Sequence, residues 1–164
     1  MTNDADADPR FELAYEEAKR AVDFQQGSLR DLRSRAGNLI AIAAAVTSFA
    51  AGVGLIQTDP SKPEVFPTWA AYVLLALLVA IGALALAVLW PTEWNFTLNA
   101  PKIIEKYIDA TPSLSLKDLH KELAIYLQGA YTKNHKKLEG RATAYRVGAA
   151  LLILEVAILV FALR

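Results

Sequence analysis

Apolar residues collect in three blocks, and between the blocks the chain reads as charged, patterned helix. Ala36 to Ile56 and Trp69 to Trp90 contain no charged residue. About 20 apolar residues, rising roughly 1.5 Å each, cover a hydrocarbon core of about 30 Å. Both stretches meet that length. Backbone in lipid has to satisfy its own hydrogen bonds, so both are predicted to be helices. Val147 to Leu163 is shorter and carries Glu155 near its middle, and Ala142, Ala144 and Tyr145 can extend it. It is read as a third span. The expected fold class is all-α: an integral membrane protein of three transmembrane helices with a cytoplasmic helical stalk.

The charged stretches carry a second pattern. Phe11, Tyr15, Ala18, Val22, Gln25, Leu29, Leu32 and Ala36 recur at spacings of three and four and run on into Leu39. That period is a coiled-coil seam, with Gln25 as a polar layer setting register. One continuous helix from about Arg10 to Ile56 is predicted. Glu16 with Arg20 and Asp31 with Arg35 are spaced for exposed i,i+4 pairs. Leu116, Leu119, Leu123, Leu127, Tyr131, Asn134, Leu138 and Ala142 form a second stripe, with Ser115 or Ser113 as its cap. Ala100 to Asp109 reads as a short amphipathic helix that closes the stalk bundle or lies on the membrane surface.

The expected division is therefore a disordered tail at 1–9, a cytoplasmic helix at 10–35, a span at 36–56 and an outer loop at 57–68. A second span at 69–90, a cytoplasmic helical region at 91–146 and a third span at 147–163 follow. Pro60, Pro63 and Pro67 suit a tight outer turn, and Pro91 ends the second span. Trp69 and Tyr72 at one end of that span, and Trp90 and Trp94 at the other, suit interfacial anchoring. The stretch from Trp90 to Phe96 also leaves room for a ligand pocket.

Charge adds orientation. Lys plus Arg equals Asp plus Glu at 17 each, so net charge points to no nucleic acid. Basic residues gather before the first span and between Pro91 and Arg146, whereas the first loop holds Lys62 alone. Positive charge stays inside, which predicts a cell inner (plasma) membrane protein with a cytoplasmic N-terminus and an outer C-terminus. Arg30, Arg33, Arg35, Lys137, Arg141 and Arg146 form a basic membrane-proximal ring. Its two readings are anchoring and the binding of an anionic ligand.

Chemistry changes this picture little. There is no cysteine, which removes disulfides and thiol catalysis. Asp4, Asp6 and Asp8 lack the glycine turn and downstream Glu of a calcium loop. His120 and His135 are too far apart on one helix to share a metal. No phosphate loop or nucleophile elbow is present, so no enzyme, no metal and no cofactor are expected. Glu155 is the singular residue. Ala144, Gly148 and Ala162 share its face, and Thr47 and Ser48, with a small-residue ladder of Ala44, Ser48 and Gly52, lie at matching depth. Glu155 is expected to meet these hydroxyls, either as an uncharged interhelical contact or as a pore-lining or gating group.

From Gln25 to Gly37 (QQGSLRDLRSRAG), followed by an Ala-rich span, a short outer turn and a second span ending near Trp-Pro, the chain resembles small bacterial membrane effectors of nucleotide-signalled anti-phage defence. These are the Pycsar transmembrane effectors and the SLATT-type proteins. The resemblance covers about Ala18 to Asn99. It implies an oligomer that permeabilises the inner membrane when triggered, with a nucleotide signal or a cytosolic protein as partner. The third span and the lack of a separate nucleotide-binding module depart from that pattern. The reading that follows is an oligomeric membrane-permeabilising or pore-forming effector. The alternative is a non-conducting anchor that recruits a cytosolic partner through its stalk.

Overall fold

The heptad seam that begins among charged residues has no helix-breaking residue before Ile56, and it folds as one helix. In the computed structural model, which describes residues 8–56, 67–96, 98–109 and 114–164, α1 runs Pro9–Ile56. Then come α2 (Thr68–Leu89), α3 (Ala100–Ile103), a π-helical turn (Ile104–Ile108) and α4 (Leu116–Ala162). All regular structure among the described residues is helical. The tail before Asp8, most of the outer loop and Ser113 lie outside the described residues.

The helix ends follow local chemistry. Asp8 accepts from the Arg10 backbone N–H at 3.0 Å, and Pro9 stands at the first helical position, where a missing N–H costs nothing. Ser115 caps α4: its Oγ accepts from Asp118 N at 3.2 Å and donates to Asp118 Oδ2 at 2.7 Å. α2 stops at Trp90, whose φ of −52° and ψ of 128° are the extended geometry imposed by the following proline. The 100–109 segment departs from the expected single helix, since its second half widens into π geometry and ends on an Asp109 N–H to Ile104 bond.

The chain divides into two units, Met1–Leu29 with Thr92–Leu138, and Arg30–Pro91 with Glu139–Arg164. In the first, Val22, Gln25, Leu29, Leu123, Leu127, Ala130 and Asn134 are buried. Tyr15 stacks on His120 with centroids 5.5 Å apart, so His120 is a packing residue. Arg20 pairs with Glu17 at 2.7 Å, one residue from the expected Glu16, whereas Asp31 and Arg35 pair at 2.8 Å.

In the second unit three helices pack in layers. Ala36 meets Ala85 and Val88, with Ala144 and Tyr145 against them. Leu39 and Ala43 meet Ile81, with Ala149 and Leu152 alongside. Ala50 meets Leu74 and Leu159. Numbers rise together along α1 and α4 and fall along α2, so α2 is antiparallel to the other two. Gly148 sits where a Cβ would fall 2.9 Å from Leu39 Cδ2, so here the missing side chain permits close approach. Elsewhere these helices turn large apolar side chains outward, among them Tyr72, Val79, Ile153 and Phe161.

Candidate functional site

Between the second and third of those layers one polar contact interrupts the apolar packing. Thr47 Oγ1 donates to Glu155 Oε1 at 2.7 Å. Glu155 is fully buried, and its Oε2 has no hydrogen-bond partner among the described residues. Thr47 comes to face Glu155 because it continues the α1 seam through Ala36, Leu39, Ala43 and Ala50. Glu155 falls on the α4 stripe that contains Gly148 and Leu159. Both partners belong to a single chain, so the contact needs no second copy.

Ser48 stands apart. It is exposed, on the side of α1 turned away from α2 and α4. The Ala44–Ser48–Gly52 ladder is therefore not the face that meets Glu155. The seam set by the larger residues decides the rotation of α1 and carries Thr47 inward. Ala44 and Gly52 are half-buried, and nothing lies within 4 Å of a Cβ built on Gly52.

A second buried polar group lies at the end of α2. Arg141 is only 8% exposed, and it donates to the carbonyl oxygens of Val88 at 2.8 Å and Trp90 at 2.5 Å. The last turn of a helix presents carbonyls without intrahelical donors, and Pro91 brings no N–H to the exit. A guanidinium supplies donors and answers the negative end of the helix dipole. Burial, and then the charge of Arg33, lower the Arg141 pKa, yet an arginine there remains a cation. Sequence pattern puts Ala142 on the stripe and Arg141 in an outer basic ring, whereas the fold puts Arg141 inward. The sequence signal for this was the Trp-Pro exit itself, which leaves carbonyls to be satisfied.

The other members of the expected ring do not act together. Arg30, Arg35 and Arg146 are exposed, Arg35 being tied to Asp31. Arg33 is half-buried, and its Nε is buried without a hydrogen-bond partner among the described residues. Lys137 lies in the first unit, where its Nζ donates to the Glu93 carbonyl at 2.8 Å and stands over the Trp94 ring. Trp69, Tyr72 and Trp90 are exposed apolar rings, whereas Trp94 is half-buried and stacked on Phe96 at 5.4 Å.

The first unit holds its own polar layer. Gln25 Nε2 donates to Tyr131 O at 3.1 Å, and Asn134 Nδ2 donates to Asn95 O at 3.0 Å, pinning the segment after α2. A cavity of about 180 Å³ opens there between Lys102, Ile103, Lys106, Tyr107 and Tyr126. No cluster able to hold a metal ion occurs among the described residues.

Fold and buried polar groups together define the class: an all-helical protein with three helices long and apolar enough, by length and composition, to cross a membrane. A scan of family models and searches of curated proteins and solved structures found no match to this chain.

Proposed function

We propose that the protein is an oligomeric integral membrane protein that acts by helix association rather than by catalysis, its output being a change in bilayer permeability. One observation carries this reading. The outward side of α1 shows a strip of Gly37, Ala41, Ala45 and Ser48 beside Ile42 and Phe49, whereas the outward side of α4 shows Ile153, Leu154, Val160 and Phe161 beside Ala150 and Ala157, so the strip of small residues is longer on α1. Bulky branched residues suit lipid tails. Small and hydroxyl residues suit another helix, because they let backbones approach and offer hydrogen bonds. A second copy of the chain is the partner this face fits.

The chain has no native cysteine, which makes the test clean. Ser48→Cys in membranes should cross-link to a dimer with a short bismaleimide, and Ile153→Cys should not. Equal cross-linking at both positions, or at neither, would reject the α1 face. Purified protein in liposomes should then release a trapped dye, and an assembled protein that releases none under any trigger would reject permeabilisation.

A second reading, a non-conducting anchor that recruits a cytosolic partner, is favoured by Leu13 and Phe24. They are 62% and 76% exposed on the first unit. On either reading the proposed location of that unit and the N-terminus is the cytoplasmic side of the inner membrane, supported by the basic residues before the first span and between Pro91 and Arg146. The resemblance to anti-phage effectors agrees with the permeabilising output, and a nucleotide signal stays a proposal of the same kind.

A further inference from the structure

We propose that the cavity between α3, the π-helical turn and α4 binds a small aromatic carboxylate, its ring against Tyr126 and Leu98 and its carboxylate at Lys102 and Lys106. The cavity holds about 180 Å³, and every residue that lines it belongs to the first unit. Lys102 and Ile103 come from α3, Lys106 and Tyr107 from the π-helical turn, and Tyr126 from α4. Leu98 and Ile103, both half-buried, supply its apolar part. The site does not depend on the membrane reading.

The lining selects the sign of the ligand. Two cations border the cavity and no carboxylate does. Neither lysine is ion-paired to a described residue, and Thr97 and residues 110–113 contain no acid. Lys106 Nζ donates to the Tyr107 hydroxyl at 3.1 Å, which holds the ammonium at the cavity and leaves its other N–H groups for a further acceptor. Among the described residues Lys102 is bonded through its backbone N–H and not through its ammonium. Size sets the body of the ligand. A cavity of about 150 Å³ accepts one benzene ring, so about 180 Å³ takes a single ring with one small charged group. Exposed lysines by themselves hold an anion weakly. Apolar walls with a few convergent polar groups are what retain a small molecule. Lys106 stands 4.8 Å over the Tyr107 ring, so the open aromatic face is that of Tyr126, which is half exposed. The π-helical turn is a separate sign. Such turns forgo regular α-helical bonding and occur frequently at functional sites, and both Lys106 and Tyr107 stand on this one.

The probe is para-fluorobenzoate, followed by fluorine NMR with the purified chain in detergent micelles and with the micelles alone. The protein should shift and broaden its signal saturably beyond the micelle control. Para-fluorobenzyl alcohol keeps the ring without the charge and should bind about tenfold more weakly, as should fluorobenzoate to Lys102→Gln, each losing one charge-assisted contact. Tyr126→Ala should weaken fluorobenzoate by a similar factor, because the ring loses its wall. Lys102 and Tyr126 are exposed, so both variants should keep wild-type helicity and melting. The comparison of acid with alcohol uses the wild-type protein and stands whatever the variants do. A signal no different from that in micelles alone would overturn the proposal. Equal binding of acid and alcohol would do the same, as would undiminished binding by either variant. Displacement of fluorobenzoate by an equal concentration of inorganic phosphate would leave the ring without a role and overturn it too.

Discussion

Among the described residues, Thr47 is the one donor that the second unit offers Glu155, at 2.7 Å. Removing it leaves a buried carboxyl without a partner. Thr47→Val keeps the shape and should lower the unfolding free energy in detergent by about 1–2 kcal/mol, read from denaturant titration. Ser48→Ala next door should change it by under about 0.5 kcal/mol, since Ser48 is exposed in the single chain. At the start of α1 the reasoning concerns charge. Hydrogen bonds from the Arg10 side chain and backbone hold the Asp8 carboxyl down at about 2. A carboxyl lowered in the folded state stabilises above its unfolded value, and that contribution is lost as pH falls through the folded one. Amide exchange in the first turn of α1 should therefore stay slow down to the ordinary carboxyl range. Protection should be lost as pH approaches about 2, and in Asp8→Asn that acid step should vanish. Arg10 is exposed and Asp8 half-buried at the first turn of α1, their side chains bonded to no third described residue, so the effect is local fraying rather than global unfolding.

At the scale of the element, glycines separate the helical surfaces that are packed from those that are open. Gly129 lies mid-helix in α4, exposed, with nothing within 4 Å of an added Cβ. Gly129→Ala should raise stability by about 0.5–1 kcal/mol through helix propensity. Gly148 lies in the same helix and faces Leu39. Gly148→Leu should cost about 1–3 kcal/mol by overpacking and separate α4 from α1, read by thermal melting in detergent. The elements themselves were largely legible in sequence. The α1 seam from Phe11 to Leu39 was readable because every third or fourth position except Gln25 is apolar or small, and helix periodicity is a local property. The α4 stripe was readable at Leu123, Leu127 and Asn134, which are buried, whereas Leu116 is exposed and Ala130 and Arg141 join the buried set from off the stripe. The inward turn of Arg141 meets the open carbonyls at the end of α2, a demand made by a different helix. The π-helical turn at Ile104–Ile108 had no sequence signal, since its composition is that of an ordinary amphipathic helix.

For the molecule as a whole, three apolar helices predict the side on which each end lies. In the proposed topology Arg164 lies across the bilayer from Arg10, with the basic segments before the first span and between Pro91 and Arg146 inside. A C-terminal tag should be cleaved by protease added to intact spheroplasts, and an N-terminal tag should be cleaved only after the inner membrane is opened. Cleavage of both tags from the same side would remove one crossing. What residue order decided on its own is the helical state and the presence of three helices long and apolar enough to cross a membrane. Long charge-free runs and the three-four period act over a few neighbouring residues, through burial of apolar surface and local hydrogen bonding. Tertiary structure decided which face of each helix turns inward. The rotation of α1 that brings Thr47 rather than Ser48 to Glu155, and the inward turn of Arg141, were set by the shapes and unmet carbonyls of partner helices. Those partners lie tens of residues away in sequence, and no local pattern encodes them.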